Sequence, residues 1–249
     1  MFETARDIYT VLWVDLRFLR RNLLKTLATT LVAPVLYLLA FGYGLGRGVA
    51  VDGFSYLEFV VPGIVALTAM TTSFNAAGMK LHVDRLFFKC FDECLMSPVS
   101  LFSIVIGKTL IGVVRGLISS AALLAACFFF SPLPAVGVVF VIVLVVTCFT
   151  FSFLGVLVAL IAKSHQDMSV FMSLVVLPMT FLSGTFFSLS QVPELMRIVL
   201  SVSPLTHSSI CLRAAALGQP FPWISLAVLL AFGAVFFGAC MLVLKRTSL

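Results

Sequence analysis

Six apolar windows occupy most of this chain: Thr26 to Gly46, Phe59 to Met79, Thr109 to Phe130, Ala135 to Ala162, Met168 to Phe187 and Trp223 to Leu244. A hydrocarbon core of about 30 Å needs roughly 20 helical residues, so each window is long enough to span it. Lipid offers no partner for backbone N–H and C=O groups, and helices satisfy them internally. The predicted fold is an all-α integral membrane protein with six transmembrane helices. The fourth window, at about 42 Å of helical rise, exceeds the core and is expected to tilt or to extend beyond it.

Composition agrees. The chain is 61% hydrophobic and 10% charged, against roughly 25% charged in ordinary soluble domains, so it cannot cover itself with a polar surface. No sizeable soluble domain fits, and water-soluble chemistry is expected on a partner. The organisation reads as a cytoplasmic interfacial helix over 1–25 and a transmembrane domain over 26–249, the latter interrupted by loops at 80–103 and 188–222. Acidic Glu3, Asp7 and Asp15 precede the first window, which argues against a cleaved leader.

The net charge of +6 does not point to nucleic acid, because the basic residues flank apolar windows instead of forming aromatic-interleaved patches. Arg6, Arg17, Arg20, Arg21, Lys25, Lys80, Arg85, Lys89, Lys108, Lys163, Lys245 and Arg246 fall on one side, and Arg47, Arg197 and Arg213 on the other. Basic residues are retained in the cytoplasm, so both termini are placed there. Arg115 lies inside the third window, about 10 Å beyond Lys108 on a helix. Snorkelling or pairing within the bundle is one reading, and a place on a translocation path is the other.

Ile8, Leu12, Leu16, Leu19 and Leu23 recur at helical spacing, opposite Arg6, Arg17, Arg20 and Arg21. This pattern predicts an amphipathic helix with its leucines in the acyl boundary and its arginines at lipid phosphates or at acidic residues of a partner. The 80–103 loop mixes charges with Leu86, Phe87, Phe88, Phe91, Leu95 and Met96. It predicts a short helix ending near Ser97-Pro98, with aromatic knobs for a groove or for lipid. Between the fifth and sixth windows, Pro193 starts a short helix through Leu200, Pro204 another through Leu217, and Gly218 suits a carboxyl cap. Two re-entrant or interfacial helices fit this weakly charged segment better than an exposed loop.

Catalytic and ligand signatures do not assemble. Gly107-Lys108-Thr109 resembles the end of a phosphate loop, but Phe102 stands where its first glycine belongs. Cys90 and Cys94, one turn apart and downstream of His82, lack a second pair of metal ligands. The six cysteines, spread over windows and loops, do not suggest a disulfide framework, and Cys211 is placed alone on the outer side. His165 with Asp167, and His207 with Glu194, have no nucleophile and orienter beside them. Neither a catalytic residue, a cofactor nor a metal is expected on this chain.

Leu182-Ser183-Gly184, Phe187, Pro193, Pro204-Leu205-Thr206, Arg213 and Gly218 together resemble the carboxyl-terminal signature of type-2 ATP-binding-cassette (ABC) exporter permeases. Ser188 and His207 stand where the family often has proline and tyrosine. The Pro-Leu-Thr-His run is similar to the branch exporting drugs, polyketides or lipo-oligosaccharides. The resemblance implies that the 80–103 loop is a coupling helix seated in an ATPase subunit, with Arg85, Phe88, Phe91, Asp92 and Glu93 as contacts. It implies two ABC ATPase copies carrying ATP and Mg, and a second permease copy or related permease. It also implies an amphiphilic cargo and a multi-pass location in the inner (cytoplasmic) membrane of a prokaryote. Arg115 and Phe181 are candidates for the path, and Phe149, Phe151, Phe153 and Phe186 add apolar surface. Pro178 is expected to kink the fifth helix, with Gly155 and Gly184 permitting close helix approach. An ion-driven secondary carrier, or an intramembrane enzyme using His165 or His207, is the alternative.

Overall fold

A computed structural model describes residues 2–45, 50–51, 53–127, 136–188 and 192–247. The ends of three windows, at Gly46, Phe130 and Ala135, lie outside the described residues, as do Arg47 and residues 189–191 of the outer segment. The chain is helical throughout, apart from a two-residue antiparallel pairing of β1 (Ala50–Val51) with β2 (Phe54–Ser55). Among the described residues five helices are long and apolar enough to cross a membrane: Leu23–Phe41, Tyr56–Leu86, Leu101–Cys127, Val138–Ile161 and Trp223–Arg246.

The N-terminal α1 (Phe2–Arg21) ends at Asn22, and α2 (Leu23–Tyr37) continues through a π-helical stretch, Leu38–Leu45. The junction falls three residues before the predicted boundary because Leu23 and Leu24 already belong to the second helix. The orientation of α1 also differs from expectation. Its leucine stripe turns toward a neighbouring helix, with Leu19 buried, while Tyr9, Trp13 and Phe18 share the exposed side with the arginines. Asp15 explains the rotation, because it lies on the same side as the leucines and is buried against cations of other helices.

One continuous run crosses the centre: α3 (Tyr56–Phe74), a π-helical turn at Asn75–Met79, and α4 (Lys80–Leu86). It is 83% buried over its most apolar window, against 11% for α2 and for the last helix, so it is the axis of the bundle. Ser55 N–H donates to Glu58 Oε2 at 3.0 Å and starts the run. After Lys89, which adopts a left-handed φ of 54°, comes α5 (Cys90–Met96), and then α6 (Leu101–Cys127) and α7 (Val138–Ile161). Close approach of α3 and α7 depends on Gly155, whose Cβ position lies 2.5 Å from the Phe74 carbonyl. At 24 residues, α7 is shorter than its window and ends at Ala162 with extended backbone.

The fifth window forms α8 (His165–Phe171), a π-helical turn at Met172–Val176, and α9 (Leu177–Leu182). The π turn immediately precedes Pro178, which lacks an N–H and breaks the regular ladder there. The chain then bends at Ser183 through Phe187. Gly184 adopts φ 68°, so its role is this bend and not close helix approach. The outer segment holds α10 (Glu194–Ser201) and α11 (Pro204–Leu217), which Gly218 caps at φ 65°. The final helix, α12 (Trp223–Thr247), packs along α7.

Candidate functional site

Three elements meet at the Lys80–Leu86 end of the central run. Lys108, in α6, reaches Asp15 Oδ2 at 3.1 Å and Asp84 Oδ2 at 3.0 Å. Lys80 lies 2.8 Å from Asp84 Oδ1 and 3.7 Å from Asp15 Oδ1. Both carboxylates and Lys108 are buried. The four charges cancel, and each buried carboxylate faces two cations, the condition under which such groups are tolerated away from water. Gly107, beside Lys108, lets α1 approach, since a Cβ there would lie 2.8 Å from Val11. The network ties α1, α4 and α6 together. A cavity of about 480 Å³ opens beside it, floored by Asp15, Asp84 and Lys108 and walled by Val11, Phe91 and Cys94.

The loop beyond this network divides its side chains. Phe87 and Phe88 are exposed at 68% and 70%, Met96 at 90%, and Lys89, Asp92 and Glu93 are also at the surface. Phe91 turns inward, 3% exposed, and packs with Leu81, Ile104 and Leu160. Arg85 is likewise committed inside the molecule. Its Nη1 donates to the carbonyls of Ala159, Leu160 and Ala162 at 3.1, 2.5 and 3.3 Å, neutralising the unpaired carboxyl end of α7. Of the five coupling residues expected from sequence, Phe88, Asp92 and Glu93 are presented outward. Phe91 and Arg85 instead hold the loop on the bundle. Phe87 and Met96 complete the exposed set.

A second cluster lies at the opposite end of the central run. Arg213, in α11, donates from Nε to the Phe59 carbonyl at 3.1 Å and from Nη2 to the carbonyls of Gly184 and Thr185 at 3.0 and 3.4 Å. Its guanidinium stacks 3.6 Å from the centre of the Phe59 ring. Ser209 donates to the Ser183 carbonyl at 3.2 Å, and Thr206 to the Leu200 carbonyl at 2.7 Å. The Tyr56 hydroxyl donates to the Phe186 carbonyl at 2.9 Å. The bonds to Ser183, Gly184, Thr185 and Phe186 satisfy backbone carbonyls left open by the non-helical bend, and those to Phe59 and Leu200 tie it to α3 and α10. Ser183, Gly184, Pro204, Leu205 and Thr206 are buried around them, while Leu182, Pro193 and Gly218 lie exposed at the rim, with Phe187 half-buried.

The profile of the ABC-2 type transporter family matches residues 6–217, from the start of α1 through α11. The chain belongs to the ABC-2 type transporter family. It is an ABC-2 permease, the membrane subunit of an ABC transporter, in a family that normally pairs with an ABC ATPase subunit. It is 30% identical to the inner membrane transport permease YadH of Escherichia coli strain K12 over 226 residues, 89% of this chain and 88% of that one. It is 30% identical to nodulation protein J of Rhizobium leguminosarum bv. viciae over 214 residues, covering 81% and 78%. With nodulation protein J of Sinorhizobium fredii the identity is 29% over 209 residues, covering 81% and 78%.

The remaining sequence candidates of the permease take structural places. Gly107-Lys108-Thr109 is the interior of α6, with Lys108 held by carboxylates. His82 stacks 5.9 Å from His165, away from the cysteines, and Cys90 Sγ lies 3.5 Å from the Asp84 carbonyl. Burial pushes the Cys94 thiol above its ordinary range. Asp167 caps α8, accepting from the Lys163 and Ser164 N–H groups at 2.9 and 3.1 Å, and these bonds hold its carboxyl below the ordinary range. His207 Nε2 lies 2.8 Å from the Ser201 carbonyl. Cys211 is buried. Phe181 belongs to an outer aromatic cluster, 6.2 Å from Phe186, which stacks 4.4 Å from Phe41. Arg115 lies toward the Lys80–Leu86 end, so the two path candidates are not brought together.

In the sequence Asp15 speaks only against a leader peptide and Lys108 only as one of the basic residues that flank the apolar windows. Asp15 was visible as a charge on the apolar side of an amphipathic helix, which demands a partner. The identity of that partner depends on tertiary contact alone.

Proposed function

We propose that this permease exports an amphiphilic cargo, of the drug, polyketide, lipid or lipid-linked oligosaccharide class, from the cytoplasm or inner leaflet. Two separate ABC ATPase subunits hydrolyse ATP with Mg, and a second permease copy or a related permease completes the transmembrane unit. The supporting observation is the two-ended central run. At one end α4 is tied to α1 and α6 by the charge network and leads directly into the exposed Phe87, Phe88, Asp92, Glu93 and Met96, and the other end is stapled by Arg213. Force applied to α5 is delivered to a buried, charge-paired junction instead of a loose loop, which suits a two-state rearrangement biased by nucleotide. The Pro204-Leu205-Thr206-His207 run supports a drug, polyketide or lipo-oligosaccharide as the cargo class.

In this reading the chain crosses the inner membrane of a prokaryote six times, with both termini cytoplasmic. The α8–α9 run supplies the sixth crossing. It starts beside the α7 end that Arg85 caps and finishes at carbonyls bound by Arg213 and Ser209, about 27 Å away at helical rise. The 30% identity to an inner membrane permease and the basic-residue asymmetry support the orientation.

Single-cysteine accessibility in inverted vesicles and whole cells tests it. A reporter at Phe88 should label only from the cytoplasmic side and should be protected by the ATPase subunit. Labelling from the periplasm would reverse the assignment.

A further inference from the structure

Arg115 is a membrane-depth cation with no counter-charge beside it among the described residues. It sits seven residues beyond Lys108 on α6, about 10 Å deeper along the helix axis. Its Nε is buried without a hydrogen-bond partner, and no ion pair reaches it among the described residues. The nearby carboxylates, Asp15 and Asp84, are already matched by Lys80 and Lys108, so the network has no negative charge to spare. A guanidinium in apolar surroundings is costly unless an anion meets it.

The surroundings of Arg115 are shaped for such an anion. An open hollow of about 560 Å³ is lined by Phe18, Asn75, Met79, Lys80, Phe88 and Arg115. Asn75 and Arg115 can donate to a phosphate, Met79 adds apolar surface, and Phe18 and Phe88, exposed at 60% and 70%, stand at the rim. Lys80, 5.9 Å from the Phe18 ring centre, lies at the rim with its charge matched by Asp84. The hollow lies between α1, the π-helical turn at Asn75–Met79 and α6. On the open side of α1, Tyr9 and Trp13 share a surface with Arg17 and Arg20, the combination that favours a headgroup region.

We propose that this hollow is a binding site for the anionic phospholipid of the leaflet in which α1 lies, with Arg115 and Asn75 holding the lipid phosphate and Phe18 and Phe88 flanking the headgroup. The site needs no assumption about cargo or ATPase. Because Phe88 also stands on the exposed face of the coupling loop, occupancy of the site positions one of the residues offered there.

The test uses the full chain in nanodiscs of phosphatidylcholine doped with brominated phosphatidylglycerol or, separately, brominated phosphatidylcholine. Phe88→Trp places a local fluorophore in the hollow, and protein without that change supplies the Trp13 and Trp223 background. Quenching at position 88 should favour the anionic lipid about fivefold in apparent affinity, the preference expected for one basic group near lipid phosphate. Arg115→Gln should abolish that preference, and Arg115→Lys should retain most of it and check that folding survives. Arg17→Gln with Arg20→Gln should weaken quenching of Trp13 and leave position 88 unchanged. Equal quenching by the two lipids overturns the proposal, as does a preference that survives Arg115→Gln or follows Arg17 and Arg20. Loss of the preference on dimerisation, with a second copy's carboxylate cross-linking to position 115, also overturns it.

Discussion

Lys108 Nζ lies 3.1 Å from Asp15 Oδ2, although 93 residues separate the two in sequence, and both are buried. This contact ties the amino-terminal helix to the end of the bundle from which α5 projects. Lys108→Met should therefore destabilise the protein by about 3–5 kcal/mol, because it strands buried carboxylates. The combined change Asp15→Leu with Lys108→Met should recover much of that loss, since Lys80 remains for Asp84. Thermal unfolding of the purified chain measures both, and additive losses would show that the pair is not coupled.

Phe88 and Phe91 should separate function from folding. Phe91→Ala opens a cavity in a buried cluster and is expected to cost about 3–5 kcal/mol. Phe88→Ala should leave the unfolding midpoint nearly unchanged and weaken association with the ATPase subunit, by roughly tenfold if the ring fills a pocket there. Pull-down and melting curves on the same two variants distinguish the roles.

Arg213→Lys should behave like a loss and not like a conservative change, because an ammonium cannot reproduce the fork that meets the carbonyls of Phe59, Gly184 and Thr185. Limited proteolysis should cut between α9 and α11 in this variant, while nucleotide hydrolysis by the bound ATPase continues. Intact protease resistance would detach Arg213 from the outer bend.

Asp167 gives the amino end of α8 an acid-sensitive start. Its carboxyl is held below the ordinary value by the Lys163 and Ser164 hydrogen bonds, so its contribution is present above about pH 3.9 and is lost as pH falls through the lower folded value. Amide exchange over 165–169 should accelerate in that acid window. Asp167→Asn should remove the dependence.

Much of this arrangement was legible in the sequence because apolar length, proline and glycine act locally. Pro193, Pro204 and Gly218 bound α10 and α11, and Ser97 ends α5, as their conformational limits require. The exposed or buried state of a side chain on a short helix was less legible. Phe88 and Phe91 have the same chemistry, but Phe88 falls in the turn before α5 and Phe91 on its buried face. Arg85 and Arg213 read as charges for solvent or a partner, yet both bind backbone carbonyls that become available only once distant segments meet. The rotation of α1 was hidden for the same reason, since Asp15 finds Lys108 only in the assembled bundle.

The central claim is that the exposed face of α5 receives work from an ABC ATPase. Reconstituting the permease with its ATPase and measuring nucleotide hydrolysis, for wild type and for Phe88→Ala combined with Asp92→Lys and Glu93→Lys, tests it most directly. Hydrolysis should respond to cargo in the wild type and lose at least tenfold of that response in the variant, with the fold intact. Full response in the variant, or transport by this chain alone driven by an ion gradient, would contradict it.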